Sequence, residues 1–199
     1  MIQFTEAIQL LDGQLQRLYL HQQRVDRTSL FFYSVHLNLQ QLIPQIPSTM
    51  REGLYKCRVL YDKEIQEVQW IPYIPKVRQR VVIVDAVGIE YRFKYANRIL
   101  FEHLAHQYPA DDLILTQNGY VTDSLYANLV FENSKGLFTP SLPLLKGTRR
   151  QQLLNKNIIV QTPISVQDIS QYQWVHFINA MIGLGDIPPV SVKNISSML

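Results

Sequence analysis

The chain of 199 residues is 47% hydrophobic and 18% charged, against a usual charged share of about 25%. That excludes a disordered tail or charged fibre, which could not bury enough apolar surface to offset chain entropy. Nineteen basic and 16 acidic side chains leave a net charge of +3, too mild a bias to call for nucleic acid, and no apolar run approaches the ~18 residues that span a bilayer.

The chain opens with Glu6-Ala7-Ile8-Gln9-Leu10-Leu11, then Asp12-Gly13, then Gln14 to Leu18. Two short runs around an Asp-Gly pair predict a hairpin. From Tyr19 to about Gln41 the apolar spacing is helical, with Pro44 and Pro47 ending the stretch. Ser48-Thr49 is positioned to cap a short second helix. Gly53 to Tyr61 alternates as a strand does, and Glu67 to Tyr73 pairs with it across Asp62-Lys63. The Pro72-Tyr73-Ile74-Pro75 segment reads as a linker or sheet edge, since proline donates no ladder hydrogen bond. It sets a boundary between a smaller N-terminal lobe, 1–75, and a larger lobe, 76–199.

In the second lobe Val81-Val82-Ile83-Val84 predicts a buried strand, and Tyr95 to Tyr108 a helix. Short strands follow at Leu113–Leu115, Val121-Thr122, Asn128–Phe131 and Leu137–Thr139, with turns such as Asn118-Gly119 between them. Leu144 to Leu154 holds a loop and a helix start, and Val160–Pro163 and Val175–Ile178 finish the sheet. The fold class is α/β or α+β, two-lobed, with mixed sheets and flanking helices.

Several signatures are absent. There is no G-x-G-x-x-G and no Walker loop, so neither a Rossmann nor a P-loop site is expected. One cysteine and five dispersed histidines give no zinc constellation, and His103 and His106 read as a solvated helix face. Lys76, Arg78 and Arg80 alternate with Val77 and Gln79, which reads as a solvated edge strand whose charges resist edge-to-edge pairing. Cys57, the single cysteine, fits a reducing cytoplasm, and the first twenty residues carry Glu6 and Asp12 and do not read as a signal peptide.

Three stretches do not look like scaffolding. Lys94 lies at the join of an extended segment and a helix. Asp123 is an acid inside a run of small and apolar residues, and a buried carboxylate costs several kcal/mol, on the order of a few, unless something meets it. Leu145-Lys146-Gly147-Thr148-Arg149-Arg150 opens a helix, where N–H groups and dipole make a ready anion site. A lysine, an internal acid and a glycine-threonine helix start together suggest a pyridoxal phosphate site, which asks for a Schiff-base lysine, a partner for the ring nitrogen and a phosphate cup.

With these residues in place, the chain resembles the class IV aminotransferase family, the fold-type IV pyridoxal phosphate enzymes. The family includes branched-chain and D-amino acid aminotransferases and 4-amino-4-deoxychorismate lyase. Glu6-Ala7-Ile8-Gln9 with Asp12-Gly13 is similar to its E-T-I-R…D-G hairpin, and His21-Gln22-Gln23-Arg24 to its H-x-x-R helix. Lys94-Tyr95-Ala96-Asn97-Arg98 resembles K-x-x-N-R of the lyase branch. Gly119 to Asp123 with Ala127-Asn128 resembles G-Y-V-T-E…S-N, Thr139-Pro140 and Leu145 to Arg150 resemble T-P…L-x-G-I-T-R, and Asn179-Ala180-Met181 resembles N-A-L.

The resemblance implies pyridoxal 5'-phosphate as cofactor, with Lys94 at the Schiff-base position and Asp123 on the ring nitrogen. It places Arg24, Gly147 and Thr148 on the phosphate, with Asn128, Asn179 and Ala180 also in the cofactor site and no metal. Arg58 and Arg98 become candidates for a substrate carboxylate. A small-molecule substrate, a cytoplasmic homodimer whose partner closes the site between lobes, and no nucleic-acid or membrane partner are likewise implied. Two reactions follow: elimination of pyruvate from aminodeoxychorismate to give 4-aminobenzoate for folate synthesis, or amino-group transfer to a 2-oxo acid. A non-catalytic member of the family is the third reading. Asp123 stands where most members carry glutamate, and Ala7 where the lyase carries a threonine. Met1 begins almost at the hairpin, which makes the chain short for the family.

Overall fold

The computed structural model describes residues 1–198, an α/β arrangement of three sheets and few helices. Two compact units form. The first is Met1–Ile74 with Phe93–Asn97; the second is Pro75–Arg92 and the chain from Arg98 onward.

In the first unit, β1 (Phe4–Leu11) returns as β2 (Gln14–Leu15). The turn residues Asp12 and Gly13 both have positive φ, 48° and 75°, as a two-residue turn matched to strand twist requires. The Asp12 carboxylate accepts the Gly53 N–H at 2.8 Å, tying the turn to the start of β3 (Leu54–Tyr61). With β4 (Ile65–Pro72) these strands form an antiparallel sheet, order β2-β1-β3-β4. Successive side chains point to opposite faces. Phe4, Glu6 and Ile8 therefore share one face with their cross-strand partners Tyr61, Val59 and Cys57, and all six are buried.

Helix α1 runs Leu18–Tyr33 and buries Leu20, His21, Arg24, Val25, Thr28 and Ser29, the stripe that a 3.6-residue repeat produces. The spacing predicts helix to about Gln41, and the structure stops it at Tyr33. Ser34 turns left-handed at φ 55° with its N–H on Leu30 O. Gln22 then draws the chain back, accepting the Leu39 N–H at 2.8 Å and donating to Leu37 O at 2.6 Å. The apolar residues beyond Ser34 belong instead to a separate 3-10 turn, Leu39–Gln45, which buries Leu39 and Leu42. Ser48-Thr49 caps no helix; only turns and bends follow it up to β3.

Phe93–Asn97 folds with the first unit, although its place in sequence put it in the second lobe. Thr5 N–H donates to Lys94 O at 2.9 Å and Ala96 N–H to Gln3 O at 2.8 Å. The rings of Phe93 and Tyr95 lie 6.4 and 5.3 Å from that of Phe4. Backbone groups given to β1 cannot also start a helix, so α2 spans Ile99–Gln107 rather than beginning at Tyr95.

The second unit contains β5 (Val81–Asp85), α2, β6 (Asp112–Gln117), β7 (Tyr120–Ser124), β8 (Asn128–Asn133), β9 (Gly136–Pro140), α3 (Thr148–Asn155), β10 (Val160–Thr162), β11 (Trp174–Ile178), β12 (Val190–Ser191) and β13 (Ile195–Ser197). The strands make two sheets, β13-β5-β6-β7 and β10-β9-β8-β11-β12, where the sequence suggested one. Val81, Ile83, Ile114 and Val121 of one sheet share a core with Leu129, Phe131, Val175 and Phe177 of the other. Val130 and Ile178 face the opposite way and pack with Leu153 of α3. Full burial of such a side chain contributes ~1.5–3 kcal/mol, and Val81–Ile83, paired in parallel on both sides, is apolar throughout.

The segment holding Lys76, Arg78 and Arg80 is not an edge strand. Arg78 is buried and its Nε donates to Asp112 Oδ2 at 2.6 Å, with its guanidinium 4.7 Å from the Phe177 ring centre. Arg80 donates to Pro109 O. Of the three cations Arg78 thus serves as an internal fastening, while Lys76 and Arg80 remain exposed.

Candidate active site

Lys94 sits at the apex of a three-residue turn closed by Tyr95 N–H on Phe93 O at 2.9 Å. The aromatic neighbours on either side anchor in the core of the first unit, and Lys94 itself is half-buried.

On the same unit, β1 and α1 bring together Glu6, His21 and Arg24, all within the core. Arg24 Nε and Nη2 donate to the two Glu6 oxygens at 2.7 and 2.5 Å, the bidentate geometry that a planar guanidinium favours. His21 Nδ1 lies 2.6 Å from Glu6 Oε2. Burial alone would raise the Glu6 carboxyl, but the Arg24 charge and the Arg24 and His21 bonds hold it down at about 2. Ionised, it only accepts, so His21 carries its proton on Nδ1. Burial pushes the His21 pKa down, against the pull of Glu6. Arg24, expected from the sequence on a phosphate, is thus anchored to a carboxylate that the sequence reading left without a role.

In the second unit, Asp123 at the end of β7 is 5% exposed. Its Oδ1 accepts from Asn128 Nδ2 at 2.6 Å and its Oδ2 from the Leu145 N–H at 2.8 Å. Burial outweighs these bonds and pushes the carboxyl up to about 7, with the Arg150 charge pulling the other way. Asn128, on β8, also donates to Leu145 O at 2.8 Å. Gly147 caps α3 and packs so closely that a Cβ there would lie 2.0 Å from Asn128 Oδ1. Thr148 begins the helix and is buried. Its first turn is where N–H donors and the helix dipole receive anions.

Arg150, which the sequence reading passed over, is buried beside them. Its Nε donates to Thr139 Oγ1 at 3.2 Å and its Nη2 to Pro140 O at 2.8 Å. Thr139-Pro140 therefore holds this cation. The signal for it was the buried acid itself, which demands a positive charge nearby.

The loop after Asp123 is pinned three ways. Leu125 N–H donates to Asp112 Oδ1 at 3.2 Å. Arg98 Nη2 donates to Leu125 O at 2.5 Å, and Asn179 Nδ2 to Tyr126 O at 3.1 Å. Asn179 Oδ1 also accepts the N–H groups of Met181 and Ile182 at 2.8 and 3.0 Å, shaping the turn that contains Ala180. Arg98 donates to Tyr91 Oη at 2.8 Å and lies over the rings of Tyr91, Phe101 and Tyr126. It acts as a clamp on that loop. Arg58, in the first unit, donates to Gln69 Oε1 at 3.2 Å and meets Glu67 at 3.5 Å, with both ionic partners substantially exposed.

Residues 91–189 match the family model for amino-transferase class IV. An uncharacterized protein of Haemophilus influenzae is 35% identical over 184 residues, 90% of this chain and 97% of the relative. A solved Haemophilus somnus structure, named a "putative 4-amino-4-deoxychorismate lyase", is 32% identical, with a TM-score of 0.84, over 92% of this chain and 98% of the other. The chain belongs to the class IV aminotransferases. At lower identity the likeness is of fold alone. A hypothetical aminotransferase of Mycobacterium tuberculosis, solved in a PLP-bound form, matches with a TM-score of 0.76 at 16% identity, over 97% of this chain and 81% of the other.

Class IV aminotransferases depend on pyridoxal phosphate, and the residues of the second unit suit it. Asp123 is a buried acid with neutral donors and no ion pair of its own, a site that a cationic ring nitrogen would complete. Gly147 leaves backbone open at a helix start where a side chain would close it. Among the described residues, no group of three or more His, Cys, Asp or Glu is placed to hold a metal ion, and no helix is long and apolar enough to cross a membrane.

Proposed function

We propose that this class IV aminotransferase relative is a pyridoxal phosphate-dependent enzyme that eliminates pyruvate from aminodeoxychorismate, giving 4-aminobenzoate. The observation that carries the cofactor assignment is Asp123, a buried carboxyl raised to about 7 that has no ion pair of its own. The bound cofactor supplies an electron sink that makes the substrate α-carbon acidic. Asp123 keeps the ring nitrogen protonated, and so stabilises the sink. Gly147 and Thr148 are assigned to the phosphate. Lys94 provides the covalent attachment point and carries protons to and from the α-carbon. Arg98 is engaged as a clamp, so the substrate carboxylate is assigned to Arg58, whose side chain is 35% exposed. Two copies of the chain form the assembly in this reading.

Support for the lyase reaction comes from the Lys94 to Arg98 and Asn179 to Met181 motifs and from the name of the Haemophilus somnus relative. Ala7 favours a second reading, amino-group transfer, because it offers no hydroxyl where the lyase carries threonine. Incubation with pyridoxal phosphate is expected to produce a visible absorbance band that borohydride fixes onto Lys94. A colourless protein, or a Lys94→Ala variant that stays equally coloured, overturns the enzyme reading. Pyruvate and 4-aminobenzoate released from aminodeoxychorismate select the lyase; amino acids converting the bound cofactor to its amine form select the transferase.

A further inference from the structure

We infer that Asn128 is a positioning residue that fixes the Asp123 carboxylate and the Leu145–Gly147 loop against one another, so that one side chain sets both the ring-nitrogen end and the phosphate end of the cofactor site. The inference rests on the function proposed above and assigns Asn128 a place behind the cofactor rather than on it.

Three contacts carry it. Asn128 Nδ2 donates to Asp123 Oδ1 at 2.6 Å and to Leu145 O at 2.8 Å. The Leu145 carbonyl can only accept, so the amide has one orientation, with Nδ2 toward both Leu145 O and Asp123 Oδ1 and both N–H groups used. That orientation turns Oδ1 toward Gly147, where an added Cβ would lie 2.0 Å away. The Leu145 N–H closes the loop by donating to Asp123 Oδ2 at 2.8 Å. Acid, amide and loop thus form a ring of hydrogen bonds in which no member moves alone. Buried networks of this kind couple strongly, because each member left unpaired pays its desolvation cost in full.

The charged groups facing Asp123 limit what else could set it. Arg150 is the cation within electrostatic reach, and it spends its hydrogen bonds on Thr139 and Pro140. Orientation of the carboxylate therefore falls to Asn128 and to the backbone N–H groups of Leu144 and Leu145. Gly147 is constrained by the same amide. A methyl there has to displace either the loop or Asn128, and displacing Asn128 strips Asp123 of a bond. Substitutions at Gly147 and Asn128 are consequently not independent.

The test has an arm without cofactor and an arm with it. In the unloaded protein, the Asp123 carboxyl is titrated by carbon NMR in wild type and Asn128→Ala. Loss of a donor to the charged form is expected to move the midpoint upward by ~1 pH unit. In the second arm, wild type, Asn128→Ala, Gly147→Ala and the double variant are titrated with pyridoxal phosphate by absorbance. Asn128→Ala is expected to weaken binding ~10-fold. Gly147→Ala is expected to do so in the wild-type background but to cost less than ~3-fold once Asn128 is gone. A folded Asn128→Ala protein with an unmoved Asp123 midpoint, or strictly additive effects in the double variant, overturns the inference. A purely structural role would lower Tm and leave both readouts in place. A wild type that takes up no pyridoxal phosphate defeats the proposed function instead, while the midpoint still decides the role of Asn128 toward Asp123. Asn128→Ser, too short to bridge, carries both arms if the alanine variant does not fold.

Discussion

Asp123 and Arg150 are buried in the same unit as opposite charges, yet Arg150 gives its hydrogen bonds to Thr139 Oγ1 and Pro140 O and none to the acid. The arginine stabilises the carboxylate by its field alone, leaving the carboxyl at about 7. Replacing Arg150 with methionine removes that field and is expected to raise the Asp123 midpoint further, measurable by carbon NMR. The unpaired Pro140 carbonyl adds a stability loss of ~1–3 kcal/mol in urea unfolding. An Asp123 midpoint unchanged in Arg150→Met would show that the field does not reach the acid.

The two buried acids drive stability in opposite directions with pH. Glu6 has its folded pKa lowered from 4.5 to about 2, so its contribution, on the order of 3 kcal/mol, is complete above 4.5 and lost as pH falls toward 2. Asp123 has its folded pKa raised from 3.8 to about 7. Its proton is held by the folded state and released by the unfolded one, so stability falls as pH rises from 3.8 to 7. Thermal melts of unloaded wild type and Asp123→Ala across this range are expected to differ in slope between 3.8 and 7 and to run parallel above it. Identical slopes would contradict the raised pKa.

Breaking the Glu6–Arg24 pair from one side leaves a buried charge alone. Arg24→Leu is expected to cost ~3–5 kcal/mol in denaturant unfolding. Glu6→Gln with Arg24→Met, which removes both charges, is expected to recover most of that loss. Equal destabilisation of the single and double variants would mean that packing rather than charge governs the site.

Gly13 tests the first hairpin. Its φ of 75° is strained for any side chain, and an added Cβ would meet Arg51 Cδ at 3.4 Å. Gly13→Ala is expected to cost ~1 kcal/mol, read as a lower urea midpoint at unchanged m-value. Gly13→Asn, which tolerates left-handed backbone better, is expected to cost less.

The features legible from sequence were those set by neighbouring residues. The Asp12-Gly13 and Asn118-Gly119 turns announce themselves because few residue types accept positive φ, and Val81–Val84 reads as a buried strand from composition alone. Helix α1 overran its true end because Leu39 keeps helical spacing across Ser34, a break made by side chains such as Gln22 that no local pattern reveals. Arg78 looked like a surface charge, since its partner Asp112 comes from a distant strand. The site divides in the same way. Lys94, Asp123, Gly147 and Thr148 stood out in their motifs, whereas Arg150 and the partners of Asn128 emerge only from packing. Arg98 was legible as a residue of interest, but its three aromatic neighbours converge from separate segments.

The hydrogen bonds from Thr5 and Ala96 that stitch Phe93–Asn97 to β1 bear on how this chain can be dissected. A fragment ending near Ile74 would lack Phe93 and Tyr95, two rings of its own aromatic core, and the remaining fragment would carry those rings with nothing to cover them. The Lys94–Arg98 motif straddles the seam, its lysine folding with one unit and its arginine with the other. The two units are therefore interleaved along the chain and are not interchangeable modules, so grafting either one onto another scaffold requires moving this short segment with its distant partner.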